Sequence, residues 1–424
     1  MESCHTAKNG IKIYGYRNPS QNGFFISLFL RAGSMYESAS ENGITHLLEH
    51  VSIRNVNKVM GGHLYRDLDR LGLEFNAATY SEMVQFYLSG ASKNFGAGAE
   101  IISKLLSPII LDAGEIDVER KRIKAEIREG DEKNSLLSFT NKIVNEGTSL
   151  SASITGTAAT VTKISRRRLE EYRKSLFTRE RAFLYVTGAY TDEDIAALSD
   201  FIGAYPLPES KSECFNVAPV SENHFKRSGE VFVKKSDFTA VRFNFDIDMT
   251  RVSTPESDLI YDMLFSGYSS AFFQAMSEER GIIYDITGSV ERYKNIGALY
   301  FSYEVQNKDL EESIRIALEI LRDFKATRPA PCSLMKSGYV DNALMLLDDS
   351  RELNFTLAYD NHIMGLGYKS IEERRRAYDA VTPTDIERAA GEIFKPKNLV
   401  LTIKGDKKKI NTEKISEMVQ NILG

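Results

Sequence analysis

Cysteine is scarce in this sequence, and neither one sign of charge nor long apolar runs dominate it. Its 424 residues include three cysteines, far apart and odd in number, which excludes a disulfide framework and a CxxC metal knuckle. Lys and Arg total 54 against 59 Asp and Glu, so no basic excess is available to bind nucleic-acid phosphates. No stretch approaches the roughly 18 apolar residues of a membrane span, and the start, MESCHTAKNG, lacks the layout of a signal peptide. We expect a soluble, cytoplasmic protein with no nucleic-acid and no membrane partner.

With 42% hydrophobic and 27% charged residues, the chain is long enough for two or three domains with their own cores. The least regular stretch runs from Ala204 to Phe225, where prolines, serines and charges interrupt any helical or strand period. We therefore predict an N-terminal domain over 1–204, a linker over 205–225 and a C-terminal domain over 226–424.

Two segments of the chain read alike at a constant offset of 217 residues, the first over 164–188 and the second over 381–405. Each begins with a residue suited to cap a helix, Ser165 or Thr382. Apolar residues at helical spacing follow, and then an apolar run that ends at glycine. Duplication of one unit explains the match, and chance similarity of two helix-strand segments is the alternative.

The beginnings of the two halves also correspond. The stretches Phe24–Arg31 and Ala240–Asp248 alternate like strands, and each precedes a long helical stretch. We predict an α+β fold made of two homologous α/β-sandwich-type domains that arose by internal duplication.

The densest chemical signal is GITHLLEH, residues 43–50, which contains two of the six histidines. On a helix, His46 and His50 would share one face, so both imidazoles could reach one Zn²⁺. Glu49 lies beside them, where its carboxylate could take a proton from a zinc-bound water. The order His-x-x-Glu-His is the inverzincin signature. The alternative is a helix whose histidines are merely polar.

A catalytic zinc usually takes three protein ligands, which calls for an acidic residue on a second helix. The stretch 115–132 has helical spacing, and its Glu119 and Glu126, seven residues apart, would share one face. We predict Glu126 as the third metal ligand, and Glu119 as the carboxylate that orients a ligating histidine. The alternative is a solvated helix laced with charges.

These residues resemble the pitrilysin/insulinase family of zinc metallopeptidases, particularly its branch of short subunits related to mitochondrial processing peptidase. That family follows His-x-x-Glu-His after about seventy-five residues with a Glu-x6-Glu pair whose second member binds zinc. Here His50 and Glu126 are 76 positions apart. Four positions in the stretch 71–90 also match the family: Asn76, Ala77, Thr79 and Glu82.

The resemblance implies one Zn²⁺ per chain and a peptide substrate enclosed in a clamshell chamber, of which this chain forms one half. It also implies that Phe75, Asn76 and Ala77 belong to an edge strand that pairs with an extended peptide. An ordinary strand is the alternative.

In the second half, Tyr284 matches the family's substrate-binding tyrosine. Active members carry an arginine seven residues earlier, but this chain has Ser277 there, and Arg280 falls at a different point of the pattern. Because some short-subunit members divide these residues between two chains, a heterodimer with a second similar subunit is slightly favoured over a homodimer.

We thus predict a zinc metalloendopeptidase that cleaves short or unfolded peptides, with peptide maturation or leader-peptide removal as suitable roles. The alternative is a non-catalytic structural or assembly subunit of a peptidase-like complex. Metal storage or sensing fits poorly, because it would need neither a base beside the ligands nor a substrate strand.

Overall fold

The structure is a computed structural model, and it describes most of the chain. The described residues are 1–129, 136–208, 229–232, 236–326 and 332–424, without the side chains of 229–232 and 332–335. Most of the predicted linker, 209–225, lies outside these residues.

The strands of the described residues follow one another along the whole chain. They are β1 (Ser3–Thr6), β2 (Lys12–Arg17), β3 (Gly23–Leu30), β4 (Glu74–Thr79), β5 (Val84–Ala91), β6 (Ala182–Gly188), β7 (Gly229–Phe232), β8 (Phe238–Asp248), β9 (Ile286–Arg292), β10 (Ile296–Gln306) and β11 (Leu399–Gly405).

The α-helices are interleaved with these strands. They are α1 (Ile44–Val59), α2 (Leu64–Leu71), α3 (Phe95–Ser103), α4 (Ala113–Glu129), α5 (Leu136–Val144), α6 (Ala158–Lys163), α7 (Arg166–Leu176), α8 (Asp192–Gly203), α9 (Thr254–Phe265), α10 (Leu310–Ala326), α11 (Cys332–Asn342), α12 (Ser350–Ala358), α13 (Ile371–Asp379), α14 (Pro383–Ile393) and α15 (Thr412–Leu423). None of them is long and apolar enough to cross a membrane.

Two mixed sheets form the centres of the two units, and apart from β1 their strands follow the same order. The first sheet has the order β1-β2-β6-β3-β5-β4, and the second has the order β7-β11-β8-β10-β9. In each sheet one pair is parallel, β2 with β6 and β7 with β11, and the other neighbours are antiparallel. The predicted fold class of two homologous domains is confirmed.

The predicted helix caps of the repeat are also present. The side chain of Ser165 accepts a hydrogen bond from the backbone of Arg168 at the start of α7. Thr382 does the same for Asp385 at the start of α14. Both helices lead into a strand, β6 or β11, that lies next to the centre of its sheet. The two halves are therefore built from the same local signals.

Each compact unit takes a segment from the opposite half of the sequence. The first unit comprises the described parts of 1–130, 152–215 and 344–371, and the second comprises those of 131–151, 216–343 and 372–424. The sequence-based prediction of contiguous domains contains no such exchange, because sequence order alone does not reveal which sheet a helix packs against.

The exchanged segment explains why the strands of the first sheet are apolar on both faces. Successive side chains of a strand point to opposite faces. In β3, Ile26 and Leu28 face the main core with α1 and α3, whereas Phe29 faces a second core with Leu353 and Leu357 of α12. Both faces of this sheet are therefore removed from water.

One buried amide in α12 fixes the register of this packing. The side chain of Asn354, fully buried, donates to the carbonyl oxygen of Tyr185 at 2.9 Å, and its oxygen accepts from the hydroxyl of Ser27 at 2.7 Å. A buried amide without partners would cost free energy, so these bonds favour one position of α12.

A buried acid also joins this segment to the sheet. Glu82 lies in the turn between β4 and β5, is 8% exposed, and accepts a hydrogen bond from the hydroxyl of Tyr359 at 2.5 Å. Burial raises the pKa of Glu82 to about 7, although this hydrogen bond lowers it.

We predict that Glu82→Gln removes a pH dependence of stability. Between the ordinary glutamate pKa of 4.5 and the folded value of about 7, the unfolded chain loses a proton that the folded chain retains. The free energy of unfolding of the wild type should therefore fall as pH rises through this range, by up to about 3 kcal/mol, relative to that of Glu82→Gln.

Urea unfolding of both proteins at pH 5 and pH 8 measures this difference, with Glu100→Gln as a control at an exposed site of the same unit. An equal stability difference between Glu82→Gln and wild type at both pH values would contradict the prediction.

Candidate metal centre

The helix that carries the two histidines is anchored at its first turn. Gly43, just before α1, has a φ of 93°, and a Cβ there would lie 2.7 Å from the carbonyl oxygen of Thr155. The carboxylate of Glu37 accepts hydrogen bonds from the backbone N–H of Gly43 at 2.7 Å and of Thr45 at 2.8 Å. A carboxylate at a helix N-terminus accepts hydrogen bonds from backbone N–H groups that have no partner within the helix. It also interacts favourably with the positive end of the helix dipole, so Glu37 fixes where α1 begins.

The structure brings His46, His50 and Glu126 together. The Nε2 of His46 lies 3.8 Å from Oε2 of Glu126, and the Nε2 of His50 lies 3.6 Å from its Oε1. One donor atom from each residue fits within 4.8 Å of the others, the only such group among the described residues. Ligands at about 2.0–2.1 Å from a tetrahedral Zn²⁺ are roughly 3.4 Å apart, so small shifts would suffice to close the site.

The chemistry of these donors suits zinc. Two imidazole nitrogens and one carboxylate oxygen form a usual donor set for catalytic zinc, with a fourth position left open. Burial, with a smaller effect of nearby His50, lowers the pKa of His46 to about 4, so its imidazole is neutral and able to bind metal. Its Nδ1 is buried and makes no hydrogen bond to a described residue.

Glu119 lies behind the histidines, as predicted from its spacing to Glu126. Its side chain is 1% exposed, and its oxygens lie 3.4 Å from Nδ1 of His50 and 2.7 Å from Nη1 of Arg54. Burial opposes its charge, yet these hydrogen bonds and nearby Arg122 hold the pKa of Glu119 below its usual value. Burial likewise opposes the charge of His50, but Glu119 and the other carboxylates raise its pKa. Its contact with Nδ1 places Glu119 where the prediction requires a carboxylate next to a ligating histidine.

Glu49 lies beside the three donors without being one of them. It is 8% exposed, and its Oε2 accepts a hydrogen bond from the hydroxyl of Thr79 at 2.5 Å. Burial raises the pKa of Glu49, with the hydrogen bond from Thr79 acting in the opposite direction. A buried carboxylate of raised pKa is suited to exchange protons with a reacting group near neutral pH.

Sequence reasoning missed three contacts of this centre: those of Glu37, Arg54 and Thr79. Arg54 follows His50 by four residues on α1, so helical spacing could have shown that it shares the face of the histidines. No spacing rule could have paired Thr79 with Glu49 or Glu37 with the N-terminus of α1, because these contacts join separate elements.

Phe75, Asn76 and Ala77 lie on β4, which is an edge strand of the first sheet, as predicted. The Oδ1 of Asn76 accepts a hydrogen bond from the backbone N–H of Ala77 at 2.8 Å. Phe75 and Ala77 are partly buried against the core that contains α1. Their role in binding a peptide stays a prediction.

Tyr284 lies in the second unit, just before β9, and is 97% exposed. Ser277 lies in a short π-helix, Phe273–Glu278. Arg280 donates to the carbonyl oxygen of Ala275 at 2.6 Å, within its own segment. The substrate-binding role of Tyr284 stays a prediction.

The second unit carries no equivalent of the metal centre in its described residues. Helix α9 follows β8 as α1 follows β3. Its buried acidic side chains are paired with other residues. Glu256 forms an ion pair with Arg388, and Asp258 accepts a hydrogen bond from the hydroxyl of Tyr378 at 2.6 Å. Duplication thus left one candidate metal centre in the part of the chain that is described.

Comparison with known proteins matches two successive parts of the chain to one peptidase family. Residues 15–158 match the family described as Insulinase (Peptidase family M16). Residues 163–331 match the domain described as Peptidase M16 inactive domain. The first match ends at the start of α6, and the second begins at the end of α6.

Individual relatives have low sequence identity to the chain, and some of them match nearly its whole length. The chain is 21% identical over 399 residues to the "uncharacterized zinc protease YmxG" of Bacillus subtilis (strain 168), covering 93% of this chain and 96% of that one. It is 26% identical over 197 residues to the mitochondrial-processing peptidase subunit beta of Lentinula edodes, covering 46% and 42%. The crystal structure of a protease from Helicobacter pylori superposes with a TM-score of 0.83 at 15% identity, covering 96% and 99%, which shows a shared fold.

We predict that Glu126→Gln abolishes the binding of Zn²⁺, because a neutral amide replaces the anionic ligand. Glu119→Gln should lower zinc affinity by about 10- to 100-fold, as expected for a residue that orients a ligand. Metal content by mass spectrometry and competition titration against a chelating dye measure both effects.

Glu129→Gln, at the exposed end of the same helix, is the matched control. Wild-type zinc affinity in Glu126→Gln would rule out this carboxylate as a ligand.

Proposed function

The chain belongs to the insulinase family of peptidases, family M16, and we propose that it is a zinc-dependent endopeptidase that cleaves short or unfolded peptides. One observation carries the proposal: His46, His50 and Glu126 offer a nitrogen, nitrogen and oxygen donor set beside Glu49, a buried carboxylate that is not part of that set. Metal storage would need the donors but no acid-base group next to them.

Each residue of the candidate metal centre would have a separate role in the reaction. His46, His50 and Glu126 would hold Zn²⁺, which when bound supplies a Lewis acid that polarises the peptide carbonyl. Glu49 would take a proton from the attacking water and give it to the leaving amine. Glu119 would keep His50 in the orientation needed for binding.

The substrate strand is the second part of the proposal. Because β4 is an edge strand and Thr79 at its end touches Glu49, a peptide paired with β4 would lie beside the base. Main-chain pairing of this kind tolerates many sequences. This suits peptide maturation or leader-peptide removal inside a chamber formed with a second subunit.

We predict that Glu49→Gln retains zinc but loses peptide cleavage by roughly 10²- to 10⁴-fold, because the amide cannot accept the proton. Cleavage of a quenched fluorescent peptide and metal content of the same samples measure this. Glu129→Gln serves as the matched control for the exchange of a carboxylate for an amide. Undiminished cleavage by Glu49→Gln would remove this residue from the mechanism.

A non-catalytic subunit is the second candidate function. It is favoured by the serine at position 277, and the match of 163–331 to a domain described as inactive leaves it open. Failure of the wild type to cleave any peptide when loaded with zinc, alone and together with an arginine-bearing subunit of the family, would support it.

We further propose that a partner subunit supplies the missing arginine, with a heterodimer slightly favoured over a homodimer. The named relative, a processing peptidase subunit beta, is by its name one subunit of a larger enzyme. Light scattering of the purified chain gives its assembly state.

If Ser277 is the cause of weak cleavage by the chain alone, Ser277→Arg should raise kcat/KM for a model peptide by about tenfold, through one added charge-assisted hydrogen bond. Glu278→Arg, which adds the same side chain one residue later, is the control. An equal gain in both variants, or none in either, would contradict the prediction.

A further inference from the structure

The carboxylate of Glu49, the proposed base, accepts a hydrogen bond from one side chain outside α1. Thr79 donates to Oε2 of Glu49 at 2.5 Å, and Oε1 makes no hydrogen bond to a described residue. A hydrogen bond to an ionised carboxylate is shorter and stronger than one between neutral groups. Thr79 therefore occupies one oxygen of Glu49 and leaves the other available for a proton.

The position of Thr79 links this bond to the edge of the sheet. Thr79 is the last residue of β4, and alternate side chains of a strand share a face. Phe75, Ala77 and Thr79 thus point to the same side, where Phe75 and Ala77 pack against the core that contains α1. The strand that is free to pair with a peptide is also the strand that holds Glu49.

The segment that follows Thr79 keeps its hydroxyl in place. The backbone N–H of Tyr80 donates to the carbonyl oxygen of Met83 at 2.8 Å and closes the turn between β4 and β5. In the same turn, the carboxylate of buried Glu82 accepts a hydrogen bond from the hydroxyl of Tyr359 at 2.5 Å. These two hydrogen bonds hold the turn, so the hydroxyl of Thr79 is in place before any peptide binds.

We propose that Thr79 is a positioning residue, whose hydroxyl locks the Glu49 carboxylate so that Oε1 faces the reacting water. The inference rests on the proposed peptidase function. A glutamate side chain has three rotatable bonds, and its carboxylate must be held in one productive geometry for proton transfer. Loss of the hydroxyl should lower the rate of the chemical step without weakening the binding of peptide or metal.

Thr79→Val, which keeps the shape and removes the hydroxyl, should lower kcat about 10- to 100-fold, less than the loss of a complete general base. KM and zinc content should stay at wild-type values, because the backbone of β4 and the three donors are unchanged. Thr79→Ser should restore most of the rate. The matched control is Thr187→Val, which removes a buried hydroxyl bonded to the carbonyl of Ser350 at 2.6 Å in the same sheet.

A second measurement does not depend on activity. In zinc-free protein, Thr79→Val should lower the thermal midpoint by roughly 2–4 °C when Glu49 is present and by clearly less in a Glu49→Ala background. Such non-additivity reports the hydrogen bond itself.

Either of two kinetic results would overturn the proposal: a kcat for Thr79→Val within about twofold of wild type, or equal losses in Thr79→Val and Thr79→Ser. If the zinc-loaded wild type cleaves no peptide, either alone or together with an arginine-bearing subunit of the family, the proposed function fails and the thermal cycle decides alone. Additive midpoints would then reject Thr79 as the residue that holds Glu49, and non-additive midpoints would support it.

Discussion

The carboxylate of Glu119 joins the two helices on which the candidate metal centre depends. It is buried, and it binds His50 and Arg54 of α1 from its own position on α4. A buried carboxylate without these partners would be costly, so the charge of Glu119 keeps α1 and α4 in one arrangement. This arrangement places Glu126, two turns further along α4, next to His46 and His50. The donor geometry is a consequence of this contact between helices.

The second constraint is that both faces of the first sheet are buried. Helices of the same half cover one face, and the segment 344–371 covers the other. The unit is complete only when residues far apart in sequence have come together, and Asn354 and Tyr359 of this segment bond directly to the sheet. No described strand pairs with the outer edge of β4, beside which Glu49 lies, whereas both faces of the sheet are covered.

The two units show how a duplicated fold diverges in chemistry. Apart from β1, their sheets share one strand order, because the hydrophobic pattern and the crossovers constrain it. Side chains on α1 and α9 are free to differ once packing is satisfied. On α1 a pair of histidines faces Glu126, whereas on α9 Glu256 and Asp258 are neutralised by Arg388 and Arg292. The histidines of α1 can therefore bind a ligand together with Glu126, whereas the acidic side chains of α9 are paired with arginines.

The sequence by itself determined the features that depend on near neighbours: the pairing of His46 with His50, the helix caps and the repeated helix-strand unit. Glu126 was predicted because it is the second member of a Glu-x6-Glu pair at the distance from His50 that the resembled family shows. Only the tertiary structure decided the exchange of segments between units and the contact of Thr79 with Glu49, which are 30 residues apart. Local periodicity fixes which side of its own element a residue lies on, but packing of whole elements decides what it meets there.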